Sequence, residues 1–356
     1  MCRAKLPRLS EDGARATSQM LQPMSSVATS SPALPACGAL GGDVPYSMAS
    51  VSPGLPLEHA EDTRRSLFVR RPLRVRATKH PQHDATVLGG VRLRYVDVRS
   101  ATEQGPPLVM LHGIASRIEE YEDIIDRQRG GRRIIVMDLP GNGYSDKPER
   151  PYTLGFLEDS VLGLLDSLQV KEADLAGGSL GGHLVLRLGH RAPGRFRRLV
   201  PWAPAGAWKP MRALSLLLKP WLSALFWPFV WVQSRFWYHP KWLGRRSALL
   251  EAFAHYREIH TPGFVRMYFD IAREQVETSL FPIAPSIAQP TLVLWGDQDH
   301  ALGMGEGVRR LVSLLPDARL RVLPGVRHAL ANEAPDELAR EVDAFLYCAT
   351  TSIGQK

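Results

Sequence analysis

Six short apolar runs, at 108–111, 133–137, 173–176, 199–202, 291–295 and 320–323, limit what this chain can fold into. Segments with helical spacing separate them. In 156–168, for example, Leu157, Val161, Leu164 and Leu165 fall on one face. Apolar runs of strand length alternating with amphipathic helices predict a parallel sheet covered by helices on both sides, an α/β architecture. Ahead of them, 91–98 alternates at period two and predicts a half-buried strand. The interval between Trp202 and Thr291 is too long for one crossover, so an inserted helical cap is expected at 205–285. The core then comprises 66–204 and 286–348. Residues 1–65 are rich in Ser, Ala, Pro and Gly without apolar periodicity and are expected to be a disordered leader. Glu11, Asp12 and Gly13 interrupt the apolar stretch that a secretory signal requires. An organelle transit peptide, or a start at Met24 or Met48, stays open.

The formal charge of +8 over 356 residues is unevenly placed. No Asp or Glu occurs in 175–250, which carries twelve Lys and Arg, and six of the eight tryptophans fall in 208–242. Basic residues interleaved with rings admit two readings. One is an anionic membrane surface, since tryptophan prefers the headgroup level and each basic residue there contributes about 1 kcal/mol. The other is a cap whose rings turn inward over an apolar substrate. The longest apolar piece, 220–232, is shorter than a membrane-spanning helix requires. No nucleic-acid module accompanies the charge, so nucleic acid is not expected as a partner. The three cysteines, Cys2, Cys37 and Cys348, lack metal-ligand spacing, and neither a disulfide framework nor a cysteine-based zinc site is expected. A cytoplasmic location, peripheral at a membrane if the cap binds one, follows as the expectation.

The chemistry gathers around Gly177-Gly178-Ser179-Leu180-Gly181, which ends a strand and opens a helix. A G-x-S-x-G turn in that context presents the serine hydroxyl at the edge of the sheet. Serine is a weak nucleophile until a base takes its proton, and the base needs an acid to orient it. The acid is sought after a late strand, because 175–250 has none. Residues 291–295 are followed by Gly296-Asp297-Gln298-Asp299, and 320–323 by Pro324-Gly325-Val326-Arg327-His328. Asp299 is preferred to Asp297, which lies closer to the strand and suits the turn. His328 is preferred to His300, whose ring, adjoining Asp299 in sequence, has difficulty reaching back to Ser179. For a tetrahedral oxyanion, the loop after 108–111 offers the Ile114 N–H and the nucleophile helix offers the Leu180 N–H. His112 is read as holding that loop rather than as a second base.

Residues 88–348 resemble the α/β-hydrolase superfamily, in the branch with a cap inserted after the sixth strand. The resemblance rests on Leu111-His112-Gly113, Asp138-Leu-Pro-Gly141-Asn-Gly143-Tyr-Ser145, Gly177-Gly-Ser179-Leu-Gly181, Trp295-Gly-Asp-Gln-Asp299 and Gly325-Val-Arg-His328, in the family's order. It implies a Ser179/Asp299/His328 triad, with Ile114 and Leu180 as oxyanion donors and no metal or organic cofactor. It also implies a structural role for 138–145. A serine at 179 excludes the branches that need a carboxylate nucleophile. The expected activity is hydrolysis of an apolar or lipid-like carboxylic ester through an acyl-enzyme. Carbon–carbon bond hydrolysis of dienoates, acyl transfer and perhydrolysis share the triad, and a receptor that lost turnover is a rival from another class.

Overall fold

The computed structural model describes residues 77–101, 103, 105–128, 131–216, 218, 260–300 and 304–347, all within one compact unit, Val69–Lys356. The leader expected at 1–65, residues 219–259 of the expected cap, and five of the six clustered tryptophans lie outside the described residues.

Eight strands form one sheet: β1 (Gln82–Val87), β2 (Val91–Val98), β3 (Leu108–Leu111), β4 (Ile134–Met137), β5 (Ala173–Gly178), β6 (Phe196–Trp202), β7 (Thr291–Gly296) and β8 (Ala318–Leu323). Their spatial order is β1-β2-β4-β3-β5-β6-β7-β8. Both pairings of β2 are antiparallel and the remaining pairings are parallel. Among the described residues the α-helices are α1 (Glu122–Arg127), α2 (Leu154–Ser167), α3 (Leu180–Arg191), α4 (Arg212–Ser215), α5 (Pro262–Glu277), α6 (Met304–Leu314), α7 (Leu330–Glu333) and α8 (Pro335–Tyr347). No described helix is long and apolar enough to cross a membrane.

Every residue of β3, β4 and β5 is buried, as continuous apolar strands covered on both faces require. On α2 the predicted face, Leu157, Val161, Leu164 and Leu165, packs into the core, and each such side chain contributes about 1.5–3 kcal/mol. Thr153 starts that helix by accepting the Phe156 N–H at 3.0 Å. Two features depart from the sequence reading. Strand β1 was not anticipated, because only Val87 of its six residues is buried and it holds by pairing with β2. In β2 the polar Arg94 is buried instead of facing water. Its guanidinium meets both Glu119 oxygens at 2.8 and 2.9 Å and Asp138 Oδ2 at 2.7 Å. Burial alone would lower the Arg94 pKa, but the two carboxylates outweigh it and raise the pKa.

The topology fixes where a site can form. Strand β3 sits between β4 and β5, so the loops leaving β3 and β5 diverge side by side at the carboxyl edge of the sheet. The loops after β7 and β8 open on the same edge. The long insertion leaves after β6 and returns at β7, its sheet neighbour.

Two histidines set an acid limit on stability. His183, on α3, is fully buried with no hydrogen-bond partner for Nδ1, and burial pushes its pKa down to about 3. Burial also lowers that of His112. A histidine whose folded pKa is depressed favours the folded state above its unfolded pKa of about 6.5, and loses that stability as pH falls toward the folded value. Asp174 and Glu274, raised by burial, work in the opposite sense at lower pH. His183→Gln should therefore weaken the decline in urea stability between pH 7.5 and pH 5.0 by about 2 kcal/mol. An unchanged decline would exclude His183 as the source.

Candidate active site

Ser179 stands between β5 and α3 at φ +54° and ψ −112°, a conformation that side-chain-bearing residues rarely adopt. Backbone contacts hold it there. The Ser179 N–H donates to Trp202 O at 3.0 Å, and its carbonyl accepts from His183 N at 2.9 Å and Ala205 N at 3.0 Å. The turn also depends on close approach. A Cβ at Gly181 would lie 1.9 Å from Leu111 O, and one at Gly178 would lie 2.1 Å from the Trp202 indole nitrogen. Only glycine allows α3 to come this near β3 and the Trp202 ring to pass under the turn.

The loops after β7 and β8 are bonded to each other. Gln298 N donates to Val326 O at 3.0 Å, Asp297 N to Leu323 O at 3.1 Å, and Gly325 N to Asp297 Oδ1 at 2.7 Å. Asp297 thus sits at the surface and closes the turn. Asp299, two residues on, is buried, and its Oδ2 lies 2.8 Å from His328 Nδ1. His328 and Ser179 line one pocket together with Gly113, Ile114, Tyr121 and Trp202. His300 is exposed and does not line it. Of the predicted residues, the structure brings Ser179, His328 and Ile114 to this pocket and bonds Asp299 to His328. Leu180 is the first residue of α3, so helix geometry gives its N–H no intrahelical acceptor.

The loop carrying Ile114 is held from behind. His112 is fully buried; its Nε2 accepts the Leu139 N–H at 3.0 Å, and its Nδ1 lies 2.7 Å from Gly113 O. An acceptor Nε2 places the proton on Nδ1, which donates to Gly113 O. That ring is a neutral brace for the loop. The 138–145 stretch completes the support. Asn142 Oδ1 accepts from Ala115 N at 2.8 Å, and Asp138 Oδ1 from Ile118 N at 2.9 Å.

Two residues at the pocket were missed by the sequence reading. The Tyr121 hydroxyl donates to Leu111 O at 3.0 Å and accepts from Gly178 N at 3.3 Å, joining β3 to the turn that carries Ser179. Its pKa is driven well above 10 by burial, so it stays a neutral donor. Trp202 packs 5.5 Å from the Tyr121 ring and lines the pocket. The tyrosine carried no local signal, whereas Asn142 stood between two glycines in a recognised stretch. Trp208 is the one clustered tryptophan among the described residues. It is buried, and its Nε1 donates to Gln275 O at 3.1 Å.

Comparison with known proteins places the fold. Over 277 residues the chain is 27% identical to the dihydrolipoyllysine-residue acetyltransferase component of the acetoin cleaving system of Pseudomonas putida, covering 75% of this chain and 70% of that one. It is also 27% identical over 241 residues to a 2-hydroxymuconate semialdehyde hydrolase of Pseudomonas putida, covering 60% and 77%. Among solved structures, the enol-lactonase from Burkholderia xenovorans LB400 superposes with a TM-score of 0.65 at 25% identity, covering 74% of this chain and 99% of that one. Residues 106–335 match the family described as alpha/beta hydrolase fold. That span runs from β3 past β8, through every loop that meets at the pocket, and the chain belongs to the alpha/beta hydrolase fold family.

Proposed function

We propose that this hydrolase cleaves a carboxylic ester with an apolar acyl or alcohol part, through an acyl-enzyme formed on Ser179. The observation that carries the reading is the His328 Nδ1 to Asp299 Oδ2 bond at 2.8 Å, made by a histidine that shares the pocket of Ser179. With Nδ1–H donating to the carboxylate, Nε2 serves as the base. Ser179 Oγ attacks the ester carbonyl while His328 Nε2 takes the hydroxyl proton. The oxyanion is stabilised by the Ile114 and Leu180 N–H groups. On collapse the alcohol leaves with the proton from His328. Water, deprotonated by the same nitrogen, then attacks the acyl group, and Ser179 recovers its proton as the acid departs.

A second reading is favoured by the relative named as a 2-hydroxymuconate semialdehyde hydrolase, and would make the substrate a dienoate cleaved at a carbon–carbon bond. The ester reading is preferred because the pocket is lined by the apolar Ile114, Trp202 and Leu330, which suit an apolar acyl or alcohol part. Acyl transfer to an acceptor other than water uses the same first half-reaction. A panel of chromogenic esters of graded chain length, run beside a coloured dienoate, separates these readings. Ester turnover that improves with acyl length is expected; loss of dienoate colour without ester turnover would move the assignment to carbon–carbon cleavage. Attachment of the basic 208–242 segment to an anionic membrane is proposed on sequence alone. Its test is salt-sensitive co-sedimentation with anionic but not neutral vesicles. Sedimentation with neither kind would reject it.

A further inference from the structure

We propose that His80, Glu122 and Asp126 form a binding site for a divalent transition-metal ion, with zinc the best match, that ties the segment ahead of β1 to α1. Glu122 and Asp126 are one turn apart on α1 and so share a face. His80 comes from the stretch preceding β1 and approaches that face. Its Nε2 lies 3.5 Å from Glu122 Oε2 and 3.6 Å from Asp126 Oδ1, and the three donor atoms lie within 4.8 Å of one another. Those separations are too long for hydrogen bonds. The two separations from the imidazole come close to the edges of a tetrahedron around zinc, roughly 3.3–3.5 Å for ligand bonds of about 2.0–2.1 Å.

The surrounding contacts orient the donors. The Thr78 hydroxyl donates to Glu122 Oε1, the Lys79 ammonium donates to Asp126 Oδ2, and the His80 N–H donates to Thr78 Oγ1 at 3.2 Å. In each carboxylate one oxygen is engaged from outside and the other faces the imidazole. Glu122 is 1% exposed, yet its Oε2 has no hydrogen-bond partner, and neither has the buried His80 Nε2. A buried carboxylate oxygen without a donor is costly, and a cation between these atoms would satisfy it. Two carboxylates balance the charge of a divalent ion, and the imidazole favours zinc and its neighbours over magnesium or calcium. Water would complete the coordination. None of the three residues lines the pocket of Ser179. Their role is structural, next in sequence to Tyr121, whose hydroxyl bridges β3 and the serine turn.

The test uses the full-length chain without a histidine tag, stripped with a chelator and titrated with zinc, cobalt(II) or magnesium. Expected are one equivalent of zinc, the intense visible absorption of tetrahedral cobalt(II), and a melting temperature raised by zinc and not by magnesium. His80→Gln and Glu122→Gln should each weaken zinc binding by about 100-fold or more. The proposal is overturned if the wild-type chain retains no zinc at micromolar concentration while His80→Gln lowers the melting temperature equally with and without the metal. That result would mark an imidazolium–carboxylate cluster. Stoichiometric zinc binding that survives both substitutions would overturn it too, by placing the ion elsewhere.

Discussion

Replacing Ser179 by alanine is expected to abolish labelling by a fluorophosphonate and to lower ester turnover by about 10⁴–10⁶-fold, with folding intact. The side chain makes no helix-capping hydrogen bond, so its removal leaves no orphaned partner in α3. The positive φ at 179 is as demanding for alanine as for serine. The bonds that hold it, from Ser179 N to Trp202 O and from His183 and Ala205 to the Ser179 carbonyl, belong to the backbone and survive the change. Thermal denaturation should therefore match the wild type. His328→Ala should lose turnover on the same scale, because no other described histidine lines the pocket. His300→Ala should be mild, since that ring is exposed. Substantial turnover by the Ser179→Ala chain would reject the nucleophile assignment and the acyl-enzyme with it.

Much of this arrangement could be read from the sequence, for reasons that differ by element. The central parallel strands were legible because burial on both faces leaves no polar alternation to blur them; β4 and β5 are buried throughout. The serine turn was legible because three physical demands coincide there: a positive φ, no room for side chains at Gly178 and Gly181, and a helix start. Strand β1 was not legible. QHDATV has one buried residue, and its pairing with β2 gives the sequence no pattern of its own. The burial of Arg94 could not be read either, because its partners Glu119 and Asp138 are 25 and 44 residues away. Tyr121 escaped for the same reason. It acts through its hydroxyl on backbone atoms of two other elements, and only the folded chain brings those together.

Asp299→Asn should bring a collapse of turnover, on the order of 10⁴-fold, with little change in KM. In the proposed mechanism the carboxylate does two things for His328. It accepts from Nδ1–H, which keeps the proton on that nitrogen and leaves Nε2 as the base, and its charge stabilises the imidazolium formed as Ser179 attacks. An amide has the same shape and neither property in full. Turned one way, it donates to Nδ1 and moves the ring proton to Nε2, where it can no longer take one from serine. Turned the other way, it accepts the bond without neutralising the charge. Binding should be nearly unaffected, because Asp299 lies behind the histidine and does not line the pocket. Asp297→Asn is the matched control. That carboxylate faces the surface and accepts from Gly325 N–H at 2.7 Å; an amide oxygen can still accept this bond without its charge, so the change should cost at most about 1 kcal/mol of stability and leave kcat close to wild type. Steady-state kinetics on both variants, with denaturation midpoints measured alongside, decides the matter. A collapse in the Asp297 variant with Asp299→Asn still active would transfer the role of the acid two residues back along the same loop and leave Ser179 and His328 in place.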